Sequence, residues 1–248
     1  MNVWKKIKKK EIQKYKPEII FNEKLWAKII KKRIIENRKK EKSYFFKSNS
    51  FQSNSPIALI SLLINKKKIK ILDYGAGSLE TYFDIKNNNV ENKKYEFLFV
   101  EVKSICKLYY KLKKNILKNN NKFNLNINDK IIGNKFDIIH ISDSLQYIKD
   151  WKVFLDKIEK LNAKYIILNN LTAGNIKEYS TTQNFYGDKI YYKFFNINKV
   201  VNQFNNYNLI YKTKFLNKIK GKYTEYPQKN FSSSLRLGYP CTLIFKRI

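Results

Sequence analysis

Residues 71–80, with the sequence ILDYGAGSLE, join a run of apolar residues to a turn that contains two glycines. The apolar run starts at Ile69 and is typical of a buried strand, and residues 79–86 then suit a short helix. Glycine lets the backbone adopt positive φ without a Cβ clash and approach a ligand closely. A strand that turns through glycines into a helix is typical of a doubly wound sheet, in which ligands bind at the carboxyl ends of the strands.

Strands and helices alternate beyond this stretch. Further strands are predicted at residues 95–100, 124–127, 136–141 and 165–168, and helices at residues 105–116, 151–161 and 197–204. Two late runs, at residues 209–213 and 241–245, have no convincing helix between them, which indicates an antiparallel hairpin at one edge. The sequence therefore predicts an α/β fold with a Rossmann-like, mostly parallel sheet and a C-terminal antiparallel edge hairpin.

The first 54 residues are predicted to form a basic helical extension ahead of a single domain at residues 55–248. Apolar residues fall on one helical face there: Leu25, Trp26, Ile29, Ile30 and Ile34. This stripe predicts docking against the main domain, with a membrane-surface helix as the alternative. Residues 41–53 are predicted to be a loop, and a short helix is predicted to begin at Pro56.

The charge of the chain is strongly basic, with 51 Lys and Arg against 20 Asp and Glu and a formal charge of +31. Such an excess normally indicates an anionic partner, either nucleic acid or an acidic membrane face. The lysines are spread along the chain together with asparagine and isoleucine, as A/T-rich codons would place them. We therefore favour a compositional origin over a nucleic-acid-binding surface, which stays the alternative. A hydrophobic content of 43% excludes a disordered polycation.

The cysteine spacing and the targeting signals indicate in which cell compartment the protein is expected. Cys106 and Cys241 lie far apart and form no metal or redox spacing, so no metal site is predicted. The basic start, Met1–Lys10, is not followed by the apolar region of a signal peptide. The longest mainly apolar run, residues 57–64, is far below the roughly 20 residues that span a bilayer. We expect a cytoplasmic protein without a transmembrane segment, and its oligomeric state stays open.

The glycine turn does not suit a phosphate-bearing cofactor. The dinucleotide fingerprint needs a third glycine where Glu80 stands, and a carboxylate there would repel a pyrophosphate at the helix N-terminus. The Gly-Lys-Ser/Thr sequence of a P-loop does not occur either. S-adenosylmethionine carries no phosphate, and its zwitterion and sulfonium cation tolerate carboxylates nearby. The sequence therefore favours S-adenosylmethionine as the cofactor.

Two carboxylates are predicted to complete this cofactor site. Asp73 is placed to accept a hydrogen bond from the methionine amino group, directly or through water. Glu101 ends the second strand, at about the spacing of the ribose-binding acid in dinucleotide folds, and would accept both ribose hydroxyls. The other predicted cofactor-binding residues are Tyr74, Gly75, Ala76, Gly77, Ser142 and Ser144. The alternative is a tight turn without a ligand and a solvated Glu101.

Candidate catalytic residues follow the fourth strand. Asp143 or Tyr147 would orient or deprotonate an acceptor hydroxyl, and the alternative for Asp143 is a cap on the following turn. His140, the only histidine, is either a hydrogen-bonded core imidazole or a catalytic base. Asn169, Asn170 and Thr172 end the fifth strand and are candidate acceptor contacts. The tyrosine-rich residues 179–195 are predicted to cover the sheet edge.

Three of these stretches resemble a group of uncharacterised bacterial methyltransferases. The stretches are residues 71–83 (ILDYGAGSLETYF), 99–101 (FVE) and 137–148 (DIIHISDSLQYI). The residues that match the family pattern are Tyr82, Phe83, Glu101, Ser142, Leu145, Gln146 and Tyr147. The resemblance covers roughly residues 43–248. It implies the class I S-adenosylmethionine-dependent methyltransferase fold. Members of the group are often encoded among surface-polysaccharide genes, and their acceptors are mostly unknown.

The chain departs from this family at the turn and after the fifth strand. The family usually has glycine where Ala76 and Leu79 stand. It commonly has an Arg-Thr-Pro-Phe segment and then a Pro/Tyr-rich stretch where residues 169–172 and 185–195 stand here. The residues thus support cofactor binding better than any particular acceptor site.

The predicted function is methyl transfer from S-adenosylmethionine to a hydroxyl or amine of a small-molecule or saccharide acceptor, with surface-polysaccharide biosynthesis as the implied setting. One alternative is an RNA methyltransferase that uses the basic surface, although the chain has no Asn-Pro-Pro-Tyr base-flipping motif. The other alternative is a non-catalytic basic binding protein on a degenerate methyltransferase fold.

Overall fold

A computed structural model describes residues 3–43, 56–88, 93–113, 121–216, 218–219, 222–223 and 225–248. The chain divides into two compact units. The terminal unit comprises Met1–Ile20, Ser142–Leu161 and Leu168–Ile248, and the central unit comprises Phe21–Ile141 and Asn162–Ile167. The predicted division into residues 1–54 and 55–248 stays a prediction.

The regular elements follow one another in this order. They are β1 (Trp4–Lys6), α1 (Pro17–Phe21), α2 (Lys24–Ser43), α3 (Ile57–Leu62), β2 (Lys68–Tyr74), α4 (Glu80–Asn87), β3 (Lys94–Val100), α5 (Lys103–Lys113), β4 (Phe123–Asn128), β5 (Ile138–Ser142), α6 (Trp151–Glu159), β6 (Tyr165–Leu171), β7 (Ala173–Gly174), β8 (Tyr179–Phe185), β9 (Asp188–Asn196), α7 (Ile197–Val201), β10 (Tyr207–Lys214), β11 (Lys218–Ile219), β12 (Lys222–Tyr223) and β13 (Cys241–Arg247). Short 3₁₀ turns occupy Lys9–Lys14, Leu145–Tyr147 and Ser233–Leu235.

Seven strands form one sheet in the order β10-β13-β6-β5-β2-β3-β4. Strand β2 pairs in parallel with both β3 and β5, and β3 pairs in parallel with β4. Strands β10 and β13 pair antiparallel at the edge. The predicted mostly parallel sheet with a C-terminal antiparallel hairpin is confirmed.

The central unit has a core of apolar strands covered by helices. Ile71 and Leu72 are consecutive in β2 and both fully buried, which requires cover on both faces of the sheet. Ile105, Tyr109 and Leu112 of α5 are buried, as their helical spacing predicts. In α2, which packs on α4 and α5, the predicted apolar stripe is buried at Ile30 and Ile34.

The terminal unit contains a second sheet, with the strand order β1-β8-β9-β7. Trp4 pairs with Gln183 of β8, and its ring packs on Tyr192 and Phe194 of β9. A helical extension was predicted over these first residues, and that prediction is wrong at Trp4–Lys6. The ladder with β8 and the burial of the indole favour a strand there.

The ends of several predicted elements lie outside the described residues. The predicted loop at residues 41–53 begins inside α2, which continues to Ser43, and its remainder is not described. The predicted helix to residue 116 is described as far as Lys113. Within the described ranges, no helix is both long and apolar enough to cross a membrane.

Candidate functional site

The turn between β2 and α4 lies in the central unit and forms the candidate site of that unit. Gly75 and Gly77 have φ values of 70° and 50°, in the left-handed region that glycine adopts at little cost. Leu79 also has positive φ, at 59°, and its side chain is fully buried. Ala76 is outside this region, so its methyl group causes no backbone strain. The departure from glycine is therefore tolerated at residue 76, and at residue 79 the burial of leucine offsets the strain.

Glu101 is held against this turn. Its Oε1 accepts a hydrogen bond from the Gly77 backbone N–H at 2.8 Å, and its Oε2 accepts one from Val102 at 3.0 Å. Loss of solvation raises the pKa of the carboxyl to about 7, although the two N–H donors lower it, and the charge of Asp73 raises it further. Burial and then the charge of Glu101 also raise the pKa of Tyr74. Glu101 is thus a fixed carboxyl near the midpoint of its titration at neutral pH.

Asp73 lies at the same end of β2 and is 1% exposed. Its Oδ1 lies 3.0 Å from Nδ1 of His140, which is its partner in the β2–β5 ladder. Its Oδ2 is buried and has no hydrogen-bond partner among the described residues. A buried carboxylate oxygen without a donor is costly, which is why such atoms often mark the place of a ligand.

His140 is fully engaged on its Nδ1 side. The same nitrogen lies 3.1 Å from the Thr81 hydroxyl, and the imidazole is 1% exposed. Because an ionised carboxylate can only accept, the contact with Asp73 places a proton on Nδ1, and the Thr81 oxygen then shares this donor. The histidine therefore fixes the orientation of the Asp73 carboxylate.

Two further side chains hold the glycine turn from neighbouring helices. The Tyr109 hydroxyl of α5 donates to the Gly77 carbonyl at 2.5 Å, and the Asn37 amide of α2 donates to the Ser78 carbonyl at 3.2 Å. Sequence reasoning missed both, and it missed Thr81. Tyr109 lies on the apolar face of α5, where periodicity indicates only a core residue.

The terminal unit has a polar cluster of its own. The Gln146 Nε2 donates to Asp143 Oδ1 and, at 3.3 Å, to the Asn170 carbonyl. Asp143 N–H donates to the Asn169 carbonyl at 3.0 Å. The Ser142 carbonyl accepts from the Ser144 hydroxyl at 2.7 Å, and the Ser142 hydroxyl accepts from the Asn169 amide at 3.2 Å. This unit thus brings together Ser142, Asp143, Ser144, Gln146, Asn169 and Asn170.

Tyr147 lies beside this cluster. Its hydroxyl donates to Gln183 Oε1 at 3.0 Å, and its ring meets that of Tyr192 edge to face at 5.2 Å. Burial and then the charge of Asp143 raise the pKa of Tyr147 well above its usual value. The phenol is therefore protonated near neutral pH and acts as a hydrogen-bond donor.

The predicted site residues fall into two sets by unit. The central unit holds Asp73, Tyr74, Gly75, Ala76, Gly77, Glu101 and His140, and the terminal unit holds Ser142, Asp143, Ser144 and Tyr147. The carboxyl groups of the central unit fit S-adenosylmethionine. Asp73 Oδ2, which has no partner among the described residues, could accept from an ammonium group, and the Glu101 carboxyl could accept from ribose hydroxyls.

The chain was compared with protein-family models, with curated proteins and with solved structures. No family model matches the chain, and no curated protein matches it in sequence.

Solved structures do match the chain. The 1,6-didemethyltoxoflavin-N1-methyltransferase of Burkholderia thailandensis, with bound 1,6-didemethyltoxoflavin and S-adenosylhomocysteine, is 9% identical and has a TM-score of 0.50, with 90% of this chain and 88% of that chain covered. An S-adenosylmethionine-dependent methyltransferase of Mesorhizobium loti is 10% identical, with a TM-score of 0.49 and coverage of 79% and 98%. The magnesium protoporphyrin IX methyltransferase of Synechocystis PCC 6803, with bound S-adenosylmethionine, is 13% identical, with a TM-score of 0.47 and coverage of 88% and 84%. The likeness to the Burkholderia structure shows that the chain has a methyltransferase-like α/β fold.

Proposed function

We propose that the protein is an S-adenosylmethionine-dependent methyltransferase whose central unit binds the cofactor. The observation that carries this proposal is the Oδ2 atom of Asp73, which is buried at the end of β2 and has no donor among the described residues. A cationic amino group supplies the donor that this oxygen needs. The fold shared with solved methyltransferases supports the proposal, and the Burkholderia neighbour is described with bound S-adenosylhomocysteine.

Each residue of the central unit has a proposed task in binding. Asp73 accepts from the α-ammonium group, with its orientation set by His140. Glu101 accepts from the ribose hydroxyls in its ionised form, while Tyr74, Gly75, Ala76 and Gly77 present the backbone of the turn. When bound, S-adenosylmethionine supplies a methyl group on a sulfonium, ready for in-line displacement by the acceptor.

The proposed acceptor-side residues lie in the terminal unit. Asp143 orients the acceptor or removes its proton, and Tyr147 orients it through its phenol, since a raised pKa rules against a phenolate base. Ser142 and Ser144 stay proposed cofactor contacts. We assign His140 a positioning role, because its Nδ1 is engaged with Asp73 and Thr81.

The proposed acceptor is a small molecule or a saccharide, and the surface-polysaccharide setting rests on the family resemblance alone. The proposed activity and the class of acceptor are tested by measuring the release of S-adenosylhomocysteine from S-adenosylmethionine in the presence of pools of amines, saccharides or RNA. We expect acceptor-dependent release that is lost in Asp73→Asn.

The matched control for this assay is Glu96→Gln, which neutralises a carboxyl at the opposite end of β3, where it pairs with Lys68 at 2.7 Å. This variant should keep the activity. Cofactor binding without release from any pool would contradict a methyltransferase and favour a binding protein. Release with RNA alone would contradict the small-molecule acceptor.

A further inference from the structure

We propose that Asp143, Gln146 and Asn170 form a recognition site for an amine in the terminal unit, so that the methyl acceptor is an amine and not a hydroxyl compound. The recognition site is argued from the terminal unit alone, whereas its use by a methyl acceptor rests on the function proposed above.

The Gln146 amide is the centre of this site, and it is fully buried. Its Nε2 donates to Asp143 Oδ1 and to the Asn170 carbonyl, which are both acceptors, so the orientation of the amide is fixed. The Oε1 atom is the other polar atom of the same amide group. It is buried and has no hydrogen-bond partner among the described residues.

Asn170 supplies a second acceptor of the same kind. Its Oδ1 is also buried and has no hydrogen-bond partner within the described part of the chain. Asn170 and Asp143 have φ values of 49° and 50°, in the left-handed region that is unfavourable for residues other than glycine by about 1 kcal/mol. Strained residues of this kind cluster at ligand sites. Here the strain places two polar side chains at the ends of neighbouring strands, β5 and β6.

The charge of Asp143 and two aromatic rings of the same unit favour a cation. Asp143 is exposed to solvent, and its negative charge acts on the phenols of Tyr147 and Tyr192, whose rings lie 5.2 Å apart. A carboxylate beside aromatic rings attracts an ammonium group and repels an anion. An ammonium group also has three N–H donors, which equals the number of residues that offer acceptors, whereas a hydroxyl has one. Methyl transfer needs the neutral amine, so one of these protons passes to the Asp143 carboxylate before the nitrogen lone pair bonds to the methyl carbon. The bond between that carbon and sulfur then breaks, and S-adenosylhomocysteine leaves.

The test uses three probes that share a skeleton and differ in charge: 2-phenylethylamine, 2-phenylethanol and phenylacetate. Binding to the full chain is measured by calorimetry without any cofactor. We expect the amine to bind at least about tenfold more tightly than the alcohol, and phenylacetate to bind most weakly. Asp143→Asn should reduce the preference for the amine to less than about threefold.

Two further variants keep this test informative. Asn170→Gly removes Oδ1 and retains a residue suited to positive φ, and it should weaken amine binding about threefold or more. Asp188→Asn makes the same chemical change as Asp143→Asn at an exposed position, the first residue of β9, and it should bind the amine like the wild type. Thermal unfolding confirms that each variant is folded.

Equal binding of amine and alcohol, no saturable amine binding, or an unchanged preference in Asp143→Asn would overturn the proposal. Because the probes are measured without cofactor, failure of this site is distinguishable from failure of the proposed function. If the wild type prefers the amine but does not bind S-adenosylhomocysteine, only the proposed methyltransferase function is contradicted.

Discussion

Two aspartates, one in each unit, have contrasting surroundings. Asp73 is 1% exposed, and His140 contacts one of its oxygens, while the other is buried and has no donor in the described part of the chain. Asp143 is exposed, and Gln146 contacts one of its oxygens. A desolvated carboxylate with a fixed orientation interacts strongly with a cationic group that binds at one defined position. An exposed carboxylate suits a ligand that exchanges with solvent.

The backbone around the two aspartates differs in a matching way. Near Asp73 the left-handed positions of the turn include Gly75 and Gly77, which adopt this conformation at little cost. In the terminal unit Asp143 itself and Asn170 occupy left-handed positions. Asp and Asn are the residues other than glycine that best tolerate this conformation, and they provide a functional side chain as well. The left-handed positions near Asp73 thus include two glycines, which carry no side chain, whereas those around Asp143 carry polar side chains.

The largest expected effect comes from Asp73→Asn. This variant keeps the shape of the side chain and removes the charge, so S-adenosylhomocysteine should bind about 50-fold more weakly, as expected for a charge-assisted hydrogen bond in a buried site. Calorimetry measures the change. The contrast between the two aspartates breaks if Asp143→Asn weakens cofactor binding as much.

The pH dependence of cofactor binding should report Glu101. Its raised pKa of about 7 means that the carboxyl is mostly protonated at pH 6 and mostly ionised at pH 8. Only the ionised form accepts from both ribose hydroxyls, so S-adenosylhomocysteine should bind about tenfold more tightly at pH 8 than at pH 6. Glu101→Gln should flatten this dependence, and Glu96→Gln should retain it. A steep dependence that survives in Glu101→Gln would point to another group.

His140 should affect the cofactor through Asp73. His140→Phe fills similar space but has no N–H, so S-adenosylhomocysteine should bind up to about tenfold more weakly. His140→Asn provides an N–H for Asp73 and should recover most of this loss. A purely structural histidine would give the opposite pattern, with phenylalanine tolerated better than asparagine in the affinity measurement.

The smallest expected effect concerns the backbone of the turn. Gly77→Ala places a Cβ at a φ of 50° and should lower the free energy of unfolding by about 1 kcal/mol. The neighbouring exchange Ala76→Gly removes a methyl group where φ is not left-handed, and its effect should come from chain entropy and from lost burial. Urea denaturation compares the two. An unchanged free energy of unfolding in Gly77→Ala would contradict the expected cost of an alanine with positive φ at this position.

Local sequence patterns were sufficient to predict the parallel sheet and its polar edge. Apolar runs mark β2 and β3, and Asp73 and Glu101 stand at or directly after their ends. The contact between Asp73 and His140 was beyond sequence reasoning, although both residues were singled out. It depends on the adjacency of β2 and β5, which is a property of strand order and not of local pattern.

The second sheet was missed for two different reasons. Strand β1 has three residues, and its partner in β8 lies far along the chain, so no local pattern predicts the pairing. The hairpin of β8 and β9 had a usable signal, because Tyr186-Gly187 separates two runs that contain several aromatic and β-branched residues, YSTTQNF and DKIYYKFFN. Both turn residues have positive φ, as in a type I′ turn. The roles of Gln146 and Thr81 had no such signal, since each depends on partners brought together by folding.

The central claim is that Asp73 recognises the amino group of S-adenosylmethionine. The most direct test is a double comparison by calorimetry, in which wild type and Asp73→Asn are each titrated with S-adenosylhomocysteine and with 5′-methylthioadenosine, which lacks the amino acid part. We predict that the wild type binds S-adenosylhomocysteine about 50-fold more tightly than methylthioadenosine, and that this difference largely disappears in Asp73→Asn. Equal affinities for the two compounds in the wild type, or the same difference in both proteins, would contradict recognition of the amino group by Asp73.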